Sequence, residues 1–245
     1  MTVRSTQLTL HVCPSPAAMA EKAAEIVLER CRLAVTARGL CSICLSGGNT
    51  PVPLYRLLST PAWLERLPWE KIAFYWVAEH HVPPDDETSI YGVARRELLH
   101  VSPSTRYYRI RGELPPEEAA RSYEKLLQEH FGLNEGEFPV FDLMILGLSP
   151  TGHTASLHPG ALSLIEKKRL VLDEYLPALK EDRVSLTLPV FNNARSCLFM
   201  VSGRGKHQVL AKTLNLLAPP TLPAQFVRPH AGELIWVVDE AAAQG

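Results

Sequence analysis

A chain of 245 residues, 46% hydrophobic and 21% charged, can bury a substantial core, which excludes a globally disordered polymer. Its 25 basic and 26 acidic residues leave a formal net charge of -1, so neither a nucleic acid nor a membrane surface is expected as a partner. An anionic small substrate then has to be held by a local cluster of donors and cations. The opening stretch MTVRSTQLTLHVCPS lacks a continuous apolar segment, and no later run approaches the length of a bilayer span. Five scattered cysteines fit a reducing cytoplasm better than a disulfide framework, so a cytoplasmic protein is expected.

In chain order, residues 7–12 alternate enough for a first strand. Ser15 and Pro16 then offer an N-cap and a proline at the first helical position. Residues 17–38 carry Met19, Ala23, Ile26, Val27, Ala34 and Val35 near one helical stripe, closed by Gly39. Residues 40–45 read as a buried strand, 46–50 as a tight polar loop and 51–58 as a helix. Within the strand, Cys41 and Cys44 form a CxxC, but an offset of three puts the thiols on opposite faces, which favours core packing over redox or metal chemistry.

The same grammar repeats. Residues 72–78 are apolar and aromatic, hence a strand, followed by a polar loop 79–87, a helix 89–100 and a short strand 107–110. Glu117 and Glu118 sit in the first turn of a helix 115–131, and 141–146 is a wholly apolar strand. Candidate strands 169–172, 184–188 and 197–202 follow. A helix 205–217 comes next, with Val209, Leu210, Leu214 and Leu217 inward, then a stiff loop 219–223, a last strand 234–238 and a terminal turn from Asp239. Strands alternating with helices predict an α/β fold, a Rossmann-like three-layer sandwich with a mostly parallel central sheet. No low-complexity linker divides the chain, so one domain over 1–245 is expected.

The stretch VFDLMILGLSPTGHTASLHPG (140–160) is the centre of the reading. A buried strand empties there into a loop of glycines, hydroxyls and one histidine, His153, and in open α/β sheets ligands bind at that carboxyl end. The loop Ser46-Gly47-Gly48-Asn49-Thr50 also leaves a buried strand and enters a helix. Such a turn is either an ordinary tight connection or an anion cradle made of backbone N–H groups and hydroxyls. Lys206 stands at the start of a helix, where the dipole disfavours a cation. That leaves a ligand role or a solvated surface position.

The 140–160 stretch resembles the GxGPDGHTASLFPG motif of the 6-phosphogluconolactonases, a family grouped with the glucosamine-6-phosphate deaminases. Gly147, Pro150, Gly152, His153, Thr154, Ala155, Ser156, Leu157, Pro159 and Gly160 match, whereas Ser149, Thr151 and His158 replace a glycine, an aspartate and a phenylalanine. Residues 46–51 resemble the family's SGGSTP element, and 183–195 its RxTLTLPVLNAAR segment. Residues 78–83 stand where the family carries DERxVP. There Glu79, Val82 and Pro83 match, while Ala78 and His80 replace the aspartate and the arginine. Gly203 to Lys206 stands in the place of a GxxK element, and the likeness continues to Asp239.

The resemblance implies the sugar-phosphate isomerase/deaminase-like fold. It also implies hydrolysis of 6-phospho-D-glucono-1,5-lactone to 6-phospho-D-gluconate in the oxidative pentose phosphate pathway, with no cofactor and no metal. His153 would act as general base, with Thr151 and Glu79 as further catalytic residues. Ser46, Gly47, Gly48, Asn49, Thr50, His80, Gly147, Gly152, Arg183 and Lys206 would bind substrate and phosphate. The expected partner is a phosphorylated sugar lactone, and the expected assembly a monomer or weak homodimer. Replacing the charged partner of His153 by Thr151 is expected to cost roughly 10²–10⁴ in rate, by analogy with an orienting Asp-to-Asn change. His80, partly charged at neutral pH, leaves the phosphate to other cations. The alternatives are a phosphosugar-binding homologue that has lost catalysis, and a hydrolase of altered lactone or metal dependence, since His80, His81, His153 and His158 share one predicted edge. The deaminase branch is disfavoured because Ala78 and Thr151 occupy its carboxylate positions.

Overall fold

The computed structural model describes residues 7–177, 179–215 and 217–244. Strand β1 (Gln7–Cys13) feeds helix α1 (Pro16–Arg38). That helix starts where the Ser15 hydroxyl accepts the Ala18 N–H at 3.2 Å, and it stops at Gly39, whose φ is 77°. The chain continues through β2 (Cys41–Leu45), α2 (Val52–Leu58), α3 (Pro61–Leu64), β3 (Ile72–Trp76) and β4 (Ala78–His80). Next come α4 (Ile90–Ala94, prolonged by a π turn Arg95–Leu99), β5 (Arg106–Tyr108), α5 (Pro116–Phe131), β6 (Leu143–Gly147) and α6 (Leu162–Ile165). It ends with β7 (Val171–Leu176), β8 (Glu181–Leu186), α7 (Leu188–Asn192), β9 (Ser196–Val201), α8 (His207–Leu214), β10 (Glu233–Asp239) and α9 (Glu240–Gln244).

Seven strands form one sheet in the order β1-β10-β9-β6-β2-β3-β5, and every pairing in it is parallel. The chain steps outward from β2 to β3 on one side and from β6 to β9 on the other. The β2/β6 boundary, where Ile43 pairs with Leu143 and Cys44 with Met144, is therefore the switch point, and the loops leaving these strands diverge to open a crevice. At the opposite end, the Asp142 carboxylate accepts the backbone N–H and hydroxyl of Ser42 at 2.9 and 3.1 Å and pairs with Arg38 at 2.5 Å. Buried charge is thus paired at the end of the sheet opposite the crevice.

Helices cover both faces, and β3 shows it within two residues. Phe74 packs against Trp69 and Tyr107, in a layer that also buries Val27 of α1 and Tyr55 of α2. Tyr75, pointing the other way, meets Phe131 of α5 and Phe141. All five cysteines are buried and free. Cys41 lies beside Cys31 of α1, whereas Cys44 lies beside Cys197, on opposite faces as the strand period dictates. No helix among the described residues is long and apolar enough to cross a membrane.

Several predicted elements are corrected. The strand expected over 72–78 ends at Trp76. Ala78–His80, read partly as loop, is a separate strand in a second sheet of order β4-β8-β7, antiparallel throughout. The candidate strands 169–172 and 184–188 belong to that sheet and are longer or shifted, because their cross-strand partners, not their hydrophobicity, set their ends. Leu188 opens a helix, since Pro189 cannot donate to a ladder. The helix expected over 205–217 begins with a 3₁₀ turn, Arg204–Lys206, and its last turn ends at Leu214. Leu217 is 99% exposed and not inward; Leu216 lies outside the described residues.

Candidate active site

The two loops at the switch point, separated by a hundred residues of sequence, border one cavity of about 420 Å³. On the β2 side its wall is Ser46, Gly47, Gly48, Asn49 and Thr50. The start of this loop is pinned from α2, where the buried Tyr55 hydroxyl donates to the Ser46 carbonyl at 2.8 Å. Gly48 has φ 83°, the left-handed region in which a side chain is strained. Among the described residues, no hydrogen bond within the protein takes up the backbone N–H of Gly47, Gly48, Asn49 or Thr50. Ser46 Oγ and, across the cavity, Thr154 Oγ1 are buried without a protein partner. Unpaired buried donors are costly unless a ligand or water meets them.

On the β6 side, residues 147–154 form a turn closed by Ser149 N–H to the His153 carbonyl (2.9 Å) and Gly152 N–H to the Ser149 carbonyl (3.0 Å). Gly147 and His153 border the cavity, but Gly152 does not. A Cβ on Gly152, at φ 80°, would stand 2.7 Å from the Leu222 side chain. This glycine is thus packed against the loop 219–223 and does not border the cavity, where the close approach of a sugar was expected for it. Ala155, also on the wall, has φ 49°, a left-handed conformation of the kind that collects at functional sites.

The third wall comes from the small sheet. His80 of β4 and Arg183 of β8 are cross-strand partners, and both border the cavity. Glu79, expected to be catalytic, does not border it. Its buried carboxylate accepts the N–H groups of His80 (2.9 Å), Ile90 (2.7 Å) and Tyr91 (2.9 Å) and the Ser89 hydroxyl (3.2 Å). Burial pushes its carboxyl above the ordinary range while these donors pull it back. Glu79 thus clamps the start of α4 to β4. From the fourth side, Lys206 donates to the Leu148 carbonyl at 2.7 Å and so ties the turn before α8 to the His153 loop. That turn is itself held by Asp239, which accepts from Ser202 Oγ at 2.5 Å and Gly203 N–H at 3.0 Å. Lys206 is the residue preceding α8, and it borders the cavity.

His153 Nδ1 stands 2.7 Å from Ser149 Oγ and 2.9 Å from Thr151 Oγ1, and its ring stacks on His158 at 3.8 Å between centroids. Thr151 itself is exposed and off the cavity wall. All three residues that depart from the family motif around His153 therefore touch His153. Burial, then the neighbouring His158, Lys206 and Arg183, lower the His153 pKa to about 4. His80 is likewise lowered to about 4, by burial first and Arg183 second. It is neutral at pH 7 and brings no charge to an anion, so the cations bordering the cavity are Arg183, which pairs with Glu181, and, from the fourth side, Lys206. Among the described residues no three His, Cys, Asp or Glu side chains are grouped to hold a metal ion, and His81 does not border the cavity. Ser149 was not singled out from sequence as a site residue, and His158 was named only among the histidines of a candidate metal site. Their signal was present as two hydrogen-bonding groups placed four residues before and five after the histidine, but only the turn reveals the contact.

Fold and crevice place the chain among open parallel α/β proteins whose ligand site lies at the switch point, lined here by free backbone donors, two cations and three histidines. More narrowly, the chain belongs to the family described as glucosamine-6-phosphate isomerases/6-phosphogluconolactonase, which it matches over residues 14–236. It is 39% identical over 232 residues to the 6-phosphogluconolactonase of Homo sapiens, covering 90% of this chain and 87% of that one. It is 36% identical over 228 residues to the 6-phosphogluconolactonase of Synechocystis sp., covering 91% and 92%. The solved 6-phosphogluconolactonase from Trypanosoma cruzi superposes with a TM-score of 0.87 at 27% identity, covering 100% of this chain and 99% of that one.

Proposed function

We propose that the chain hydrolyses 6-phospho-D-glucono-1,5-lactone to 6-phospho-D-gluconate, the lactone-opening step of the oxidative pentose phosphate pathway, with His153 as general base. The observation that carries this reading is that the imidazole and the 46–50 loop border the same cavity. One phosphosugar can then meet both. The phosphate lies against the free N–H groups of Gly47 to Thr50, with Arg183 and Lys206 supplying charge. The lactone carbonyl lies towards His153. The imidazole takes a proton from water as the water oxygen attacks the carbonyl carbon. The tetrahedral intermediate then expels the ring oxygen, which leaves as a hydroxyl by taking that proton back. Every atom of the net reaction, lactone plus water to hydroxy acid, is accounted for.

The test is a coupled lactonase assay corrected for spontaneous ring opening. The expected result is turnover above background, lost in His153→Ala by a factor of about 10²–10⁴, the usual contribution of a general base, with the melting temperature kept. Wild-type turnover equal to background would sink the reading. If 6-phosphogluconate still bound, the chain would be a phosphosugar-binding protein without catalysis.

A further inference from the structure

Ser149 Oγ, Thr151 Oγ1 and His153 Nδ1 form a closed triangle with edges of 2.7, 2.9 and 3.0 Å. A proton count around it is informative. Ser149 Oγ accepts the backbone N–H of His153 at 3.0 Å and of Thr151 at 3.2 Å. Both of its lone pairs are then occupied, and it can only donate into the triangle. For His153 to act as a base through Nε2, its proton must sit on Nδ1 and needs an acceptor. Ser149 cannot be that acceptor, which leaves Thr151 Oγ1. In the competing arrangement Ser149 donates to Nδ1, the ring proton moves to Nε2, and the nitrogen left to face a substrate is no longer basic.

We propose that Thr151 is a positioning residue that selects the base-competent tautomer of His153 by accepting its Nδ1–H. In this arrangement Ser149 donates to Thr151, and Thr151 turns its own proton to solvent, which its exposed position allows. A threonine hydroxyl here fills the acceptor role open to the carboxylate of the family motif, without adding charge. The inference rests on the reading of His153 as the base. Because the ring is neutral at pH 7, the choice of tautomer is a real one.

The expected results have an unusual sign. Thr151→Val removes the acceptor and leaves Ser149 donating to Nδ1. The ¹⁵N shifts of the His153 ring at pH 7 should therefore move from the Nδ1–H to the Nε2–H pattern. In the same variant kcat should fall about tenfold or more, up to the roughly 10²–10⁴ that a general base supplies, with KM kept. Thr151→Ser, which retains the hydroxyl, should restore both. In Ser149→Ala/Thr151→Val nothing donates to Nδ1, so kcat should recover part of what Thr151→Val lost. A role confined to loop structure predicts the opposite, additive loss. A Thr151→Val protein with wild-type ¹⁵N pattern and wild-type kcat would overturn the proposal. The ring spectrum does not depend on activity, and His153→Gln serves as the separate control. Retained hydrolysis in that variant defeats the base reading, whereas lost hydrolysis with an unmoved Thr151→Val spectrum defeats only the tautomer inference.

Discussion

On the proposed reading, His153 combines a low basicity with the task of a general base. Burial, the neighbouring His158 and the positive charges of Lys206 and Arg183 hold its pKa at about 4, so the free enzyme keeps an unprotonated imidazole far below the usual 6.5. The acid limb of kcat/KM is therefore expected near pH 4, because this parameter reports the free enzyme. Bound phosphate offsets the two cations and raises the pKa of the ring. The acid limb of kcat should accordingly lie at higher pH than that of kcat/KM, and a pH series of full saturation curves checks both. Coincident limbs near 6.5 would mean that the base titrates as a solvated imidazole, depressed neither by burial nor by the cations. The sign for stability follows the same shift. The folded ring refuses a proton that the unfolded chain accepts, so this group's contribution falls as pH drops from about 6.5 towards about 4. At this scale the sequence made His153 legible through its motif. It did not reveal that Ser149, Thr151 and His158 all touch the ring, because those contacts depend on a turn that returns the chain on itself within five residues.

Each element around the cavity carries one pin that fixes a wall. Tyr55 of α2 holds Ser46, Asp239 of β10 holds the turn before Lys206, and Glu79 of β4 holds the first turn of α4. Glu79 gives the sharpest contrast between a positional role and a chemical one. Its carboxylate faces four donors, so Glu79→Ala strands them in a buried site and is expected to cost about 3 kcal/mol or more. Even Glu79→Gln turns an amide NH₂ against an N–H. Denaturant midpoints should show both variants destabilised. A Glu79→Gln enzyme of wild-type stability that has lost its turnover would instead return Glu79 to the catalytic group. Sequence alone read the 79–87 segment as loop, since a three-residue strand has too few residues for a period. Its identity as β4 comes from β8, a hundred residues later in the chain, which supplies the pairing partners.

For the molecule as a whole, the decisive feature is the adjacency of β2 and β6. It sets the 46–50 loop and the imidazole on one crevice and gathers Arg183 from the second sheet and Lys206 from beyond β9. A ligand that spans these walls should tie them together. 6-Phosphogluconate at a hundredfold excess over its Kd adds about 2.7 kcal/mol. For a chain of this size that corresponds to a rise in melting temperature of about 5 °C or more. Lys206→Ala should reduce the shift, and a melting curve unmoved by 6-phosphogluconate would show that the cradle is not a phosphosugar site. The sequence by itself determined the local pieces. Buried strands were legible as unbroken apolar runs, helices by their caps and stripe, and the two loops of the crevice by glycines and hydroxyls at strand ends, since periodicity and backbone conformation are set by neighbours in the chain. Only the tertiary structure decided the strand order, the separate antiparallel sheet, the retirement of Glu79 and Gly152 from the cavity wall and the hydroxyl triangle at His153. Those depend on pairing and packing between residues far apart in sequence, and on hydrogen-bond geometry that no spacing along the chain encodes.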